Sequence, residues 1–253
     1  TFVYKADFTA PASVSGVIDK SYLSKSGVIF FQETPSVNVS AVDSGVGIAE
    51  YRLSGSRVDA NTTGQFELGT GSYSIEIVDR LGHSTGVIPV GNLLGLDSNT
   101  FIVDGAAPEI SATKPESPYE KWYGEDISYS ITLRDNVGLD RAEVSINGQN
   151  VETYTTTETD TQETVLTVNT SDVPVSSNGM YQIQVAVVDN AGNRSDWSDI
   201  VYIDRDAPVV DRFIFTGDGS VEGVESNGSN RYGFFFNGGA TCEIRVSDGD
   251  VSS

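Results

Sequence analysis

The chain has 253 residues and carries 36 acidic against 15 basic side chains, a net charge of -21. That balance excludes nucleic acid and insertion of this segment into a membrane, because phosphate and anionic headgroups need clustered Lys and Arg and no apolar run approaches a bilayer span. The 26 Gly and 8 Pro, with abundant Thr, Ser, Val, Ile, Tyr and Phe, suit pleated strands joined by tight turns and predict an all-β protein.

In chain order the strands recur as a set. Phe2-Val3-Tyr4 leads into Asp7-Phe8-Thr9-Ala10-Pro11 and reads as the last strand of a preceding unit, with residues 1–7 as its end. Phe30-Phe31 precede a strand with Val37, Val39 and Ala41 on one side, closed by Asp43. Ala49 to Gly55 is the next strand, and Tyr73, Ile75 and Ile77 run into Asp79-Arg80-Leu81-Gly82-His83. An additional stretch, Gly91 to Asn99, precedes Phe101-Ile102-Val103 and Asp104-Gly105-Ala106-Ala107-Pro108.

The order then repeats. Trp122-Tyr123 stand where Phe30-Phe31 stood, and Tyr129, Ile131 and Leu133 end in Asp135. Ala142 to Gly148 matches Ala49 to Gly55, and the polar run Thr153 to Thr164 predicts an exposed hairpin leading into Val165-Leu166-Thr167-Val168. Tyr181, Ile183, Val185 and Val187 run into Asp189-Asn190-Ala191-Gly192-Asn193, followed by Trp197, by Val201-Tyr202-Ile203 and by Asp204-Arg205-Asp206-Ala207-Pro208. Beyond these, Phe235-Phe236 precede Cys242, Ile244 and Val246, closed by Asp248. Cys242 is the single cysteine, so no intrachain disulfide forms, and its parity with Ile244 and Val246 predicts an inward, inert thiol.

Three segments therefore read Asp-x-x-Ala-Pro after an apolar strand, their prolines 97 and 100 residues apart. A period of about a hundred residues built from period-two strands is one antiparallel β-sandwich domain. The expectation is tandem immunoglobulin-like sandwiches over residues 8–104 and 105–205, with 206–253 the N-terminal part of a third.

These motifs resemble the bacterial immunoglobulin-like repeats of large surface proteins and adhesins, in which an Asp-Asn-Ala-Gly-Asn turn precedes the last strand and Asp-x-x-Ala-Pro opens the next domain. The resemblance implies a non-catalytic extracellular stalk, on a bacterial surface or secreted, with neighbouring repeats of the same chain as its first partners. A surface protein or glycan of host or microbe would then be a more distant partner. The alternative is an accessory spacer in a secreted multidomain carbohydrate-active enzyme.

In such a sandwich the loops gather at two poles. Asp104, Asp135 and Asp189, with Asn190, would share one pole of the 105–205 domain. Asp7, Asp43 and Asp79 would do so in the 8–104 domain, and Asp204 and Asp248 in the third. Converging carboxylates fit Ca²⁺, which takes six to eight oxygen ligands, and cadherins and giant adhesins offer a similar arrangement. The same aspartates also suit Asx-type caps that need no ion.

Catalytic signals are absent: His83 is the one histidine and reads as a surface turn residue, and no nucleophile elbow, phosphate loop or zinc spacing occurs. Trp122 and Tyr123 read as core or edge packing and Trp197 as a cover for the sandwich end, rather than as a glycan platform. Asn38, Asn61, Asn169, Asn193 and Asn227 head glycosylation sequons of the kind a Ser/Thr-rich chain produces by chance.

Overall fold

A computed structural model describes residues 4–117, 119–173, 178–217, 221–222, 234–235 and 238–248. The first half contains β1 (Ala12–Ile18), β2 (Leu23–Lys25), β3 (Val28–Phe31), β4 (Ser36–Val42), β5 (Ile48–Gly55), β6 (Asp59–Asn61), β7 (Gln65–Glu67), β8 (Gly71–Asp79), β9 (Ile88–Pro89), helix α1 (Val90–Leu94) and β10 (Thr100–Val103). The second half contains β11 (Glu109–Thr113), β12 (Trp122–Tyr123), β13 (Ser128–Arg134), β14 (Leu139–Ile146), β15 (Gln149–Thr155), β16 (Glu163–Asn169), β17 (Gly179–Asp189) and β18 (Arg194–Ile203). They are followed by β19 (Val209–Gly217), β20 (Val221–Glu222), β21 (Phe234–Phe235) and β22 (Ala240–Ser247).

Each half is a two-sheet sandwich, and the fold is all-β and immunoglobulin-like. In the first, β1-β4-β7 faces a sheet ordered β2-β3-β10-β8-β5-β6, with β9 on the side of β8. In the second, β11-β13-β16 faces β12-β18-β17-β14-β15. Apart from β2 and β9, which have no counterpart in the second, the two orders correspond, down to the parallel pairs β3–β10 and β12–β18 among otherwise antiparallel ladders.

Two core clusters of buried residues fill the sandwiches, one within residues 29–101 and the other within 123–203. Period-two alternation explains both. Val37 and Val39 of β4, Tyr129, Ile131 and Leu133 of β13, and Tyr181, Ile183, Val185 and Val187 of β17 all point inward and are buried. Asn147 and Gly148 adopt positive φ between β14 and β15, the two-residue turn whose twist matches a hairpin.

The additional stretch in the first half interrupts the last strand. β9 pairs with β8 only at Ile88 and Pro89, then α1 drops Val90 into the core before β10 rejoins β8 at Thr100 and Phe101. In the second half β18 pairs with β17 without interruption, from Arg194 to Ile203.

Three expectations need correction or lie elsewhere. Thr153 to Thr164 is not a hairpin: β15 pairs with β14 and β16 pairs with β13, so residues 156–162 cross from one sheet to the other. Cys242 is exposed, as are Ile244 and Val246, because among the described residues no facing sheet covers the β19–β22 pair. Phe2, Val3 and Phe236 lie outside the described residues, and Tyr4 is exposed and outside any strand.

The aromatic pairs behave as packing residues. Phe30, Phe31 and Tyr123 are buried, while Trp122 stacks on Tyr202 with ring centroids 4.8 Å apart. Trp197 packs partly buried against the second core and meets Tyr129 edge-on at 6.1 Å.

Candidate functional site

The second sandwich brings Asp104, Asp135 and Asp189 together, one ligand oxygen of each lying within 4.8 Å of the others. Three separate elements deliver them: the linker after β10, the end of β13 and the end of β17. They are 3%, 9% and 0% exposed. The local backbone explains why each is a short side chain bearing an acceptor oxygen. Asp135 Oδ1 accepts from the amides of Val137 at 2.9 Å and Gly138 at 2.6 Å. Asp104 Oδ1 accepts from the Ala106 amide at 3.1 Å and from Asn136 Nδ2 at 3.3 Å. Asp189 takes the Asn193 amide on Oδ1 at 2.8 Å and Asn193 Nδ2 on Oδ2 at 2.7 Å. A short side chain with an acceptor oxygen, Asp or Asn, closes such turns on itself.

One acceptor is left over: Asp135 Oδ2 is buried and has no donor among the described residues. Burial pushes the Asp189 carboxyl up, and the neighbouring charges of Asp135 and Asp104 add to that rise, against the lowering effect of its Asn193 hydrogen bonds. The donor set is thus hard, anionic and incompletely satisfied, which is what an oxygen-liganded cation such as Ca²⁺ requires.

Asn190 plays a different part from the one its sequence position suggests. Its Oδ1 accepts from Lys25 Nζ of the first sandwich at 2.7 Å, and its Nδ2 donates to the Thr159 carbonyl at 2.9 Å. Lys25 also pairs with Asp140 at 2.9 Å, and both partners are mostly shielded from solvent. Next to it, Ser26 Oγ donates to the Thr157 carbonyl at 2.9 Å. The β2–β3 turn of the first sandwich is therefore seated on the crossing loop and the Asp189 turn of the second.

At the equivalent pole of the first sandwich the cluster is Asp7, Asp79 and His83. His83 replaces Asn193 position for position: its amide donates to Asp79 Oδ1 at 2.8 Å and its Nδ1 meets Oδ2 at 2.7 Å. It is half-buried rather than the plain surface residue its turn predicts. Asp7 is used up by the Thr9 amide and hydroxyl and by the Val46 amide. Asp43 binds the Gly45 and Gly47 amides through Oδ2 and leaves Oδ1 buried without a donor among the described residues, yet it does not join the cluster. Asp204 accepts from Asn178 Nδ2 at 2.9 Å and the Asp206 amide at 3.1 Å, and neither it nor Asp248 belongs to a three-ligand group among the described residues.

Sequence reasoning missed Lys25, Thr157 and Thr159. Lys25 is one basic residue on a three-residue strand, and no local pattern marks it as reaching across 165 positions to Asn190.

The decisive comparison is with protein families. Residues 127–205 match the family described as "Bacterial Ig-like domain". That match covers β13 to β18, which come from both sheets of the second sandwich, with Asp135 and Asp189 inside it. No curated protein matches the chain. Among solved structures, the fibronectin(III)-like modules of Clostridium thermocellum CbhA are 15% identical, covering 74% of this chain and 92% of that one at a TM-score of 0.30. A structure concerning host cell surface retention of a 1.5-MDa bacterial ice-binding adhesin is 14% identical, covering 83% and 70% at 0.30. The human OSCAR ligand-binding domain is 10% identical, covering 77% and 98% at 0.27. Likenesses at these scores carry no argument about role. Among the described residues no helix is long and apolar enough to cross a membrane.

Proposed function

We propose that this chain is a stiff, non-catalytic spacer from an extracellular bacterial protein, surface-attached or secreted, with sandwiches at 8–104 and 105–205 and the start of a third from 206. Its immediate partners are the adjoining sandwiches of the same chain, and its task is to hold a more distal region at a set distance and direction. The observation that supports this most is the seating of the β2–β3 turn on the second sandwich. Lys25 bridges Asp140 and Asn190 while Ser26 holds Thr157, so the linker around Asp104 to Pro108 is braced from the side. A five-residue linker braced in this way is no free tether. Non-catalysis is supported by the employment of the polar groups: His83 is committed to Asp79, and Arg194 to Asp196 in the open depression on the outer face of β14, β17 and β18.

Small-angle scattering tests this reading on the whole chain and on Lys25→Ala/Ser26→Ala. The wild type should fit one fixed arrangement of the first two sandwiches, and the double variant should need an ensemble. A wild-type profile that itself requires an ensemble of interdomain angles would defeat the spacer reading.

A further inference from the structure

We infer that the linker leaving the second sandwich is clamped by that sandwich itself, with Asn178 and Arg205 as its positioning residues. The exit direction is then set before any following unit contributes a contact. This deepens the spacer reading and rests on it, since a fixed exit is what a spacer requires.

The first linker offers a neighbour little to grip. Gly105, Ala106 and Ala107 carry no side-chain donor or acceptor. Its bracing comes from the side, through Lys25 and Ser26. At the same positions the second linker carries Arg205 and Asp206 after Asp204. On the turn of the second sandwich that corresponds to the β2–β3 turn, Lys121 reaches back to Asp199 of its own sandwich at 3.4 Å. The two joints are therefore built differently.

Gly179 pairs with Ile203, so Asn178 stands beside the point where β18 gives way to the linker. Its Oδ1 accepts from the Arg205 amide at 3.0 Å. Its Nδ2 donates to Asp204 Oδ1 at 2.9 Å and to Asp206 Oδ2 at 2.8 Å. A side-chain amide has two N–H donors, and both are spent on the linker. Arg205 Nη2 donates to Asp126 Oδ1 at 2.5 Å, on the turn ahead of β13. Their side chains are only 27% and 35% exposed, which favours a charge-assisted bond over one in open water. Asp126 is fixed in turn by the Thr170 hydroxyl at 2.8 Å.

Arg205 is thus held at its amide by one element and at its guanidinium by another. Two anchors on one folded body restrict the φ and ψ through which a linker residue swivels. A local turn would need no more than the Asp206 amide on Asp204 Oδ1, at 3.1 Å. Here the further partners come from 26 and 79 positions away.

Limited trypsin digestion of the whole chain tests this, because trypsin cuts after arginine and a clamped bond is cut only from its opened state. The Arg205–Asp206 bond should resist in the wild type, and Asn178→Ala and Asp126→Ala should each speed its cleavage about tenfold. Cleavage after Arg194, inside β18, reports unfolding of the sandwich and should stay unchanged. Hydrogen exchange gives a second readout. Asn178→Ala should release the Arg205 amide, while the Asp204 amide, bonded to the Tyr123 carbonyl at 2.9 Å, keeps its protection. The inference is overturned if the wild-type bond is cut as fast as a free peptide of the same sequence. It is equally overturned if either variant leaves cleavage as slow as in the wild type, or if cleavage after Arg194 rises in step. Scattering with Lys25→Ala/Ser26→Ala reads the first joint and cleavage after Arg205 the second, so either idea can fail alone.

Discussion

Asp199 on β18 accepts from Lys114 Nζ and from the buried Tyr129 hydroxyl at 2.9 Å, and Lys121 reaches its other oxygen at 3.4 Å. Burial alone would push this carboxyl up. The Lys114 ammonium, the Tyr129 hydroxyl and the Ile200 amide outweigh it and hold the group at about 2. A depressed carboxylate stabilises the fold above its unfolded value of about 3.9 and loses that contribution as pH falls toward its folded value. Asp199→Asn should therefore cost about 2 kcal/mol at pH 7. The difference from wild type should shrink below about pH 3 in urea titrations. Asp189 runs the other way. Its raised carboxyl stabilises the fold only at low pH, and that contribution is lost as pH rises through the folded value. The Tm advantage of wild type over Asp189→Asn should then decline from acid toward neutral pH. Gly138 has a purely steric role: a Cβ there would lie 2.4 Å from the Thr159 carbonyl oxygen and 2.7 Å from Asn190 Nδ2. Gly138→Ala should cost about 1–3 kcal/mol by equilibrium unfolding, since backbone must move to admit the methyl.

Among elements, the insertion between β9 and β10 shows how an irregular stretch is absorbed. Val90 is fully buried, Leu93, Leu94 and Leu96 pack against the same core, and the following residues brace the β2–β3 hairpin. Ser24 Oγ donates to Asp97 at 2.9 Å and Ser98 Oγ to the Gly27 carbonyl at 2.5 Å. The departure from the repeat thus supports the hairpin that carries Lys25 and Ser26 onto the second sandwich. Val90→Ala should destabilise the first sandwich by about 2 kcal/mol through lost apolar burial. The crossing segment 156–162 is the partner of that hairpin. Its Thr/Glu/Asp composition reads as an exposed turn because nothing local distinguishes a loop between two paired strands from one that passes between sheets. What decides is which strands β15 and β16 find, and they find β14 and β13 rather than each other.

For the whole molecule, two separate cores predict two separable unfolding events. Scanning calorimetry should show Val90→Ala lowering one transition and Gly138→Ala the other. A single transition moved equally by both would indicate one cooperative unit instead. The sequence by itself determined the strands, their inward faces and the recurrence of aspartates at turns, because period-two burial and Asx turns are set by residues close together along the chain. Tyr129, Ile131 and Leu133 declare an inner face in seven residues, and Asp189 to Asn193 declare a turn in five. Only the tertiary structure decided that His83 rather than Asp43 faces Asp79, that Asn190 serves Lys25, that Cys242 is exposed, and that Asp135 keeps an oxygen without a donor. Each of these depends on side chains that meet from distant strands, and the register and crossing of those strands follow from closing each core as a whole.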